Sequence, residues 1–429
     1  MTLLIGQTHK TNSSPIGFSA PGPTGVDPAP FDIVDKSDAG LVTIAGTGAG
    51  KGVSQVIPNL LVYPGSAVVI DIKGEIAAVT ARRRREMGQD VYIIDPFSSA
   101  DTDFIDPFDL VQQRHPSAVD DCRMLAQLLG GSTRMTADPF WEDRARDLVT
   151  GTLLFIAEHV PSHVRSLPLV QSFWTSSLRK MASGLALMQE SPLHDGILGR
   201  YAQQFIDPPE KTRSSILTSI QNMVECLSSP AAQRGFGMGA RGRKVDLAAL
   251  KEGRPMTIYL TVPPAYLSSH ASLLRLWLGT ALTAVQRREV IPAQPTLFMV
   301  DEAAQLGRLD ALLTAATLMR GYGLRVWSFW QSIAQMERIY GPALQEFLDN
   351  AGTVSMFGIA NGASAARAAQ LTGWTGELMG LPRNAQVIAQ AGSAPQIARR
   401  VDYRKDARFR GMFDPNPFHQ ARQVIREVA

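Results

Sequence analysis

The apolar run Leu41-Val-Thr-Ile-Ala45 passes directly into Gly46-Thr-Gly-Ala-Gly-Lys51-Gly52, and a helix-like segment, about Gly50 to Leu61, follows. A strand, a glycine-rich turn and a helix in that order leave few folds open. Glycines let the backbone curl so that several N–H groups point inward, and the helix start adds roughly half a positive charge. A polyphosphate suits such a cradle, with the Lys51 ammonium reaching the β- and γ-phosphates as a point charge. The residues offered to it are Gly46, Thr47, Gly48, Ala49, Gly50, Lys51, Gly52 and Val53. The run departs from G-x-x-x-x-G-K-[ST] at two places. Ala45 holds the first glycine position, and Gly52 stands where a Ser or Thr would ligate magnesium, with Ser54 two residues further on.

The pattern around this turn is one of alternation. Ser66 to Asp71 reads as a strand, about Glu75 to Met87 as a helix, and Val91 to Ile94 as a strand. After a long interruption come a strand over Met256 to Val262 and a helix over roughly Tyr266 to Glu289. Strands over Thr296 to Val300 and Leu324 to Trp330 follow, with further candidates at Thr353 to Ile359 and Ala385 to Ala389. Strands alternating with helices imply right-handed βαβ units and a mostly parallel, doubly wound sheet, whose strands are apolar throughout because both faces are covered. Over 112–245 the strand signal vanishes and apolar residues recur at helical spacing, as in Ala118 to Leu129, Trp141 to Ala157 and Ser214 to Leu227. The expectation is an α/β fold with an all-α domain inserted. Residues 1–40, rich in Pro, Gly, Ser and Thr, read as an irregular arm; 41–111 and 246–429 form the two parts of the nucleotide-binding domain, and 112–245 the insertion.

The second half of a site follows from the same pattern. Ligands of open α/β sheets bind at the carboxyl ends of the strands, and Thr296 to Val300 delivers Asp301 and Glu302 to that edge. Asp301 suits a magnesium ion held through water, and Glu302 suits the task of orienting and polarising an attacking water. Gln331 ends the next strand, where an amide can sense a γ-phosphate by hydrogen bonding. Asp71-Ile-Lys73-Gly-Glu75 reaches the same edge, either to hydrogen-bond around a nucleotide or a neighbouring subunit, or as a turn with a helix-capping carboxylate. ATP and Mg2+ are the cofactors this constellation calls for.

Composition excludes other classes. With 45% hydrophobic and 19% charged residues over 429 positions, the chain is globular. Cys122 and Cys226 stand in no metal or redox spacing, the seven histidines form no ligand cluster, and no G-x-S-x-G elbow occurs. A net charge of +3 neither identifies nor rules out a nucleic-acid partner. No run approaches the roughly 18 apolar residues of a membrane span, and the start lacks signal-peptide character. The chain as given is expected to be soluble and cytoplasmic. Of the basic runs, Arg82 to Arg85 reads as a solvated helix face, and residues 234–244 as an exposed loop able to touch nucleic acid. Trp141, Trp327 and Trp330 read as core.

Several segments together resemble the type IV secretion coupling proteins, the VirD4/TraG group of conjugative ATPases. They are TGAGKGVSQVIPNLLVYPGSAVVIDIKGE, VYIIDPF at 91–97, DPFWEDRA at 138–145, KTRSSIL at 211–217 and LFMVDEAAQLGRLDALLTAATLMRGYGLRVWSFWQS at 297–332. DNAGTVSMFG at 349–358, LPRNAQVIAQ and DYRKDARFRGMF close the series. The resemblance spans about Gly40 to Phe413. It implies a RecA/FtsK-like P-loop NTPase core with an inserted all-α domain, and matches Lys51, Asp301, Glu302 and Gln331 to the family's Walker A lysine, Walker B pair and following sensor. A glycine after the loop lysine is also usual in the family.

The resemblance further implies six-fold homo-oligomeric rings at the inner membrane, reached here peripherally through partners, since the two N-terminal membrane helices of many members are absent from this sequence. Its partners would be relaxase-bound single-stranded DNA or protein effectors, and components of the secretion channel. A ring also calls for an arginine donated in trans, with Arg320, Arg325, Arg338 and Arg367 as candidates. Two other functions remain open at this point: an FtsK-like translocase of double-stranded DNA outside secretion, and an ATP-binding receptor or adaptor that hydrolyses little.

Overall fold

The computed structural model describes residues 2–8, 31–130 and 139–418. One eleven-stranded sheet organises it. Its strands are β1 (Leu3–Thr8), β2 (Asp32–Asp35), β3 (Gly40–Ala45), β4 (Ala67–Ile70), β5 (Asp90–Ile94), β6 (Met256–Leu260), β7 (Thr296–Val300), β8 (Leu324–Trp330), β9 (Ala351–Phe357), β10 (Ala385–Gln390) and β11 (Gln396–Arg399). They lie in the order β2-β1-β11-β10-β9-β3-β8-β7-β4-β6-β5. From β9 to β5 every pairing is parallel. The remaining pairings, out to β2, are antiparallel.

Strand alternation sorts the core into two layers. Val42, Ile44, Val68, Ile70, Phe298 and Val300 face one cluster; Leu41, Ala67, Val69, Leu297 and Met299 face the other. The second layer receives α1 (Ile57–Val62) and α2 (Glu75–Glu86), through Leu60, Ile76, Ala77 and Ala81. The first receives the long helix Leu267–Gln286 and, behind it, the helices between β5 and β6: Ala118–Gly130, Pro139–His159, Pro168–Trp174, Leu178–Glu190, Leu193–Ile206, Glu210–Val224, Pro230–Arg234 and Leu247–Glu252. Strands covered on both sides must be apolar throughout, and β6, β7 and β8 are buried along their whole length.

The reading of residues 1–40 as an irregular arm is corrected at both ends: Leu3–Thr8 and Asp32–Asp35 are paired strands. The Leu3-Leu4-Ile5 run is buried, and Asn59 beyond the glycine loop imitates a strand for it. The Leu4 N–H donates to Asn59 Oδ1 at 2.8 Å, and Asn59 Nδ2 donates back to the Leu4 carbonyl at 2.8 Å. Residues 9–30, which hold much of the Pro and Gly content that suggested an arm, lie outside the described residues, as does Asp138 of DPFWEDRA. Among the described residues no helix is long and apolar enough to cross a membrane.

Candidate nucleotide site

Parallel register brings the carboxyl ends of β3, β4, β7, β8 and β9 to one rim. Ala45 pairs with Phe357, Ile44 with Trp330, and Val300 with Ser328 and Ile70. The turn after β3 is Gly46 to Gly50. A Cβ at Gly46 would stand 2.4 Å from the Gly358 carbonyl oxygen, so that position admits only glycine. Gly50 lies at φ 90°, which an L side chain rarely adopts. Ala45 itself ends the strand in the core. The close approach falls one residue later, which explains an alanine at the first glycine position of the motif.

Lys51 opens the helix, and the first turn is wide: Ile57 N–H donates to the Gly52 carbonyl, five residues back. Pro58 has no N–H to return to Ser54, and this favours the wider turn. The Ser54 hydroxyl donates to the Gly50 carbonyl at 2.9 Å and is buried. It is committed to the backbone, and the loop presents no serine or threonine hydroxyl at position 52.

Across β8 lies the end of β7. Glu302 takes a left-handed conformation (φ 54°, ψ 49°), a strain typical of functional positions. This turns its carboxylate into the space facing the loop. Lys51 Nζ donates to Glu302 Oε1 at 3.0 Å, and Gln331 Nε2 donates to Glu302 Oε2 at 2.7 Å. Gln335, not singled out in the sequence, holds Gln331 in turn: its Oε1 accepts from the Gln331 N–H at 3.0 Å. Its signal was present, because Ser332-x-x-Gln335 is a capping-box pattern. Lys51, Glu302 and Gln331 thus meet on one rim.

Asp301 is half-buried, but its Oδ1 is buried with no hydrogen-bond partner. Burial pushes its pKa up to about 6, against the pull of Lys51. An orphaned hard oxygen beside a phosphate loop fits a Mg2+ ion, which prefers carboxylate and phosphate oxygens and keeps several waters. Among the described residues no cluster of three His, Cys, Asp or Glu side chains could hold a metal alone. Such an ion would rest on Asp301, water and the nucleotide. Asp71, at the end of β4, is fully buried and caps α2, accepting from the Ala77 N–H at 2.7 Å; burial raises its pKa to about 7.

Other sequence candidates fall elsewhere. Within the Arg82 to Arg85 run, Arg84 is buried inside the fold, whereas Arg82 and Arg83 are half-exposed and Arg85 is exposed. In the 234–244 loop, Arg234 donates to the carbonyls of Pro96, Ser98 and Ala100, and Lys244 pairs with Asp109 at 3.0 Å. Arg243 lies over the Tyr92 ring at 4.5 Å. Arg234 thus clasps the chain that follows β5, while Arg241, Arg243 and Lys244 are exposed. Arg325 is buried and paired with Asp35 at 2.7 Å, which removes it from the trans-arginine candidates. Trp327 and Trp330 are core, and Trp141 is half-buried.

A strand, glycine loop and helix facing an acidic strand end across one intervening strand define a P-loop NTPase fold. The family model described as "Type IV secretory system Conjugative DNA transfer" matches residues 34–376, and the chain belongs to that family of VirD4/TraG-type coupling proteins. Protein VirD4 of Rhizobium radiobacter is 30% identical over 325 residues, covering 72% of this chain and 44% of its own length. Conjugal transfer protein TraG of Rhizobium radiobacter is 25% identical over 325 residues, covering 74% of this chain and 50% of its own. The chain thus spans about half the length of the curated relatives it matches. The plasmid coupling protein TrwB, solved in complex with ADP and Mg2+, shares the fold with a TM-score of 0.66 at 15% identity, over 85% of this chain and 86% of that one.

Proposed function

We propose that the chain is an ATP-hydrolysing coupling protein that brings relaxase-bound single-stranded DNA, or protein effectors, to a type IV secretion or conjugation channel and drives their transfer. The observation that carries this reading is the contact of Lys51, Glu302 and Gln331 beside the unpartnered Asp301 oxygen, in a member of this family. The TrwB complex with ADP and Mg2+ supports the same ligands here.

In this reading the nucleotide phosphates lie on Gly46 to Val53, and the Lys51 ammonium leaves Glu302 for the β- and γ-phosphates. Glu302 Oε1 is then released to accept a hydrogen bond from the attacking water and hold it in line, while Gln331 keeps the carboxylate oriented and reports on the γ-phosphate. Asp301 would hold a Mg2+ ion through water, and the ion would supply positive charge to the phosphates. The chain assembles as a homo-oligomeric ring, six-fold by family resemblance, and an arginine from the adjacent copy completes the site, drawn from Arg320, Arg338 or Arg367. The helices of 112–245 form an inserted domain that receives the cargo. The chain acts in the cytoplasm, at the inner membrane through its channel partners.

ATP turnover measured against protein concentration, with and without single-stranded DNA, tests this directly. The specific rate is expected to rise with concentration and with DNA. Glu302→Gln is expected to lower it by roughly 10²–10³-fold, with nucleotide still bound. Lys51→Ala is expected to abolish both binding and turnover. Wild-type turnover in both variants would show that the chemistry lies elsewhere. A wild type that binds ATP without turnover, even with DNA, would instead mark a receptor or adaptor.

A further inference from the structure

The glycine loop has a second neighbour, on the flank away from Glu302. Arg400 follows β11 and reaches back to the loop. Its guanidinium donates to the carbonyls of Ala49 and Arg383, and its own N–H donates to the Asn384 carbonyl at 2.7 Å. One face of the guanidinium lies over the Phe357 ring, 4.5 Å from the centroid. Two hydrogen bonds and a ring fix its plane against the phosphate loop.

Beside it opens a cavity of about 320 Å³, lined by Gln7, Asn384, Arg399, Arg400, Asp402 and Lys405, among others. That is the lower end of the range for small-molecule sites, roughly 300–1,000 Å³. The wall carries two carboxylates as well, Asp402, answered by Arg404 at 2.7 Å, and Asp406, answered by Arg408 at 2.6 Å. The lining therefore keeps an excess of positive charge, from Arg399, Arg400 and Lys405.

Direction decides what this space is for. Lys51, Glu302 and Gln331 lie on the β8–β7 side of the loop, and β9, β10 and β11 lie on the other. A nucleoside triphosphate whose terminal phosphate faces Glu302 carries its other end away from β7, across Gly50 and toward Arg400. A Cβ on Gly50 would stand 3.6 Å from Arg400 Nη1, so loop and cavity share this one wall.

We propose that the cavity receives the nucleoside end of the nucleotide, with the Arg400 guanidinium in its wall as the surface on which the base stacks. Guanidinium planes stack on bases as they do on aromatic rings, and one held in place before the ligand arrives loses little entropy on binding. This rests on the nucleotide reading above and adds where the base and ribose lie.

The test uses the full chain and two probes, ATP and inorganic tripolyphosphate, with affinities measured by calorimetry. Asn384→Trp and Lys405→Trp put bulk into the cavity from exposed positions, away from the glycine loop. Each is expected to weaken ATP by about tenfold or more while tripolyphosphate stays within about twofold. ATP affinity within about twofold of wild type in both variants would overturn the proposal. So would equal weakening of both probes, since the cavity would then act on the loop and not on the nucleoside. Lys51→Ala separates the two readings: if it keeps wild-type affinity for both probes, the nucleotide site itself is misassigned.

Discussion

The parallel part of the sheet has two ends, and they treat buried charge in opposite ways. At the amino ends of the strands, three buried arginines are answered by several acceptors each. Arg84 donates to the carbonyls of Leu60, Tyr63 and Gly65, to Gln89 Oε1 and to Thr257 Oγ1. Arg288 donates to the carbonyls of Leu250, Lys251 and Gly323 and to Thr296 Oγ1. Arg325 donates to the Ala39 carbonyl at 2.6 Å and pairs with Asp35. At the carboxyl ends several buried oxygens are left unanswered: Asp95 Oδ1, Asp301 Oδ1 and Thr261 Oγ1 have no partner among the described residues.

The difference has one physical source. In a βαβ fold, helices end where strands begin, so the amino rim collects helix C-terminal carbonyls with their negative dipole ends; the carboxyl rim collects helix N-termini. Leu60 and Tyr63 close α1, and Leu250 and Lys251 close the helix Leu247–Glu252, which is why guanidinium groups settle there. The opposite rim, with its N–H groups, suits anions, and it keeps carboxylate oxygens bare for a cation and a polyphosphate. One rim contributes stability, while the other withholds it for function.

The largest expected effect breaks the first rim. Arg84→Met removes the donor from five buried acceptors, of which only the Gly65 carbonyl and Gln89 Oε1 keep a second one, and is expected to cost about 3 kcal/mol or more. The readout is a lowered melting temperature, with ATP turnover per folded molecule unchanged. A loss below about 1 kcal/mol would mean that solvent replaces the guanidinium and that the amino rim is not the structural one.

A smaller effect sharpens the second rim. Asp71 has a folded pKa of about 7, raised by burial from the ordinary 3.8. A carboxyl group that is harder to ionise when folded costs stability once the pH exceeds its unfolded value. The cost grows from about pH 4 to pH 7 and is constant above. Asp71→Asn can still accept the Ala77 N–H, so it is expected to stabilise the chain at pH 8 and to do nothing at pH 4. Melting curves across that range check it. Equal stabilisation at both ends would show that the gain has nothing to do with ionisation.

The asymmetry was partly legible in the sequence. β7 and β8 carry the bounds read from it, because strands buried on both faces leave an uninterrupted apolar signature. Asp301, Glu302 and Gln331 could be found because each directly follows such a strand. Arg84 was legible but missed: Ile76, Ala77, Thr80, Ala81 and Arg84 are buried positions on one stripe at helical spacing, with Val79 buried beside it, and the surrounding arginines drew attention away from that stripe. The antiparallel flank was less accessible. β1 is short, and its partner β11 lies some 390 residues away in sequence, so its pairing depends on tertiary contacts such as that with Asn59. The contact of Arg400 with Ala49 has no local pattern at all, since only the fold brings residues 351 apart together.

The smallest expected effect probes where the two rims' logic meets at the loop. Ser54 is the nearest hydroxyl downstream of Gly52, but it donates to the Gly50 carbonyl from a buried position, as helical serines commonly do four residues back. Ser54→Ala removes one neutral hydrogen bond, while the Ser54 N–H still reaches Gly50. The cost is expected to be near 0.5 kcal/mol, and the Mg2+ concentration needed for half-maximal ATP hydrolysis should stay within about twofold. Asp301→Asn, which blunts the bare oxygen, should raise that concentration by about tenfold or more. If Ser54→Ala raises it as much, the hydroxyl turns toward the metal when nucleotide binds. The loop would then supply a ligand of its own, and the burden placed here on Asp301 would be shared.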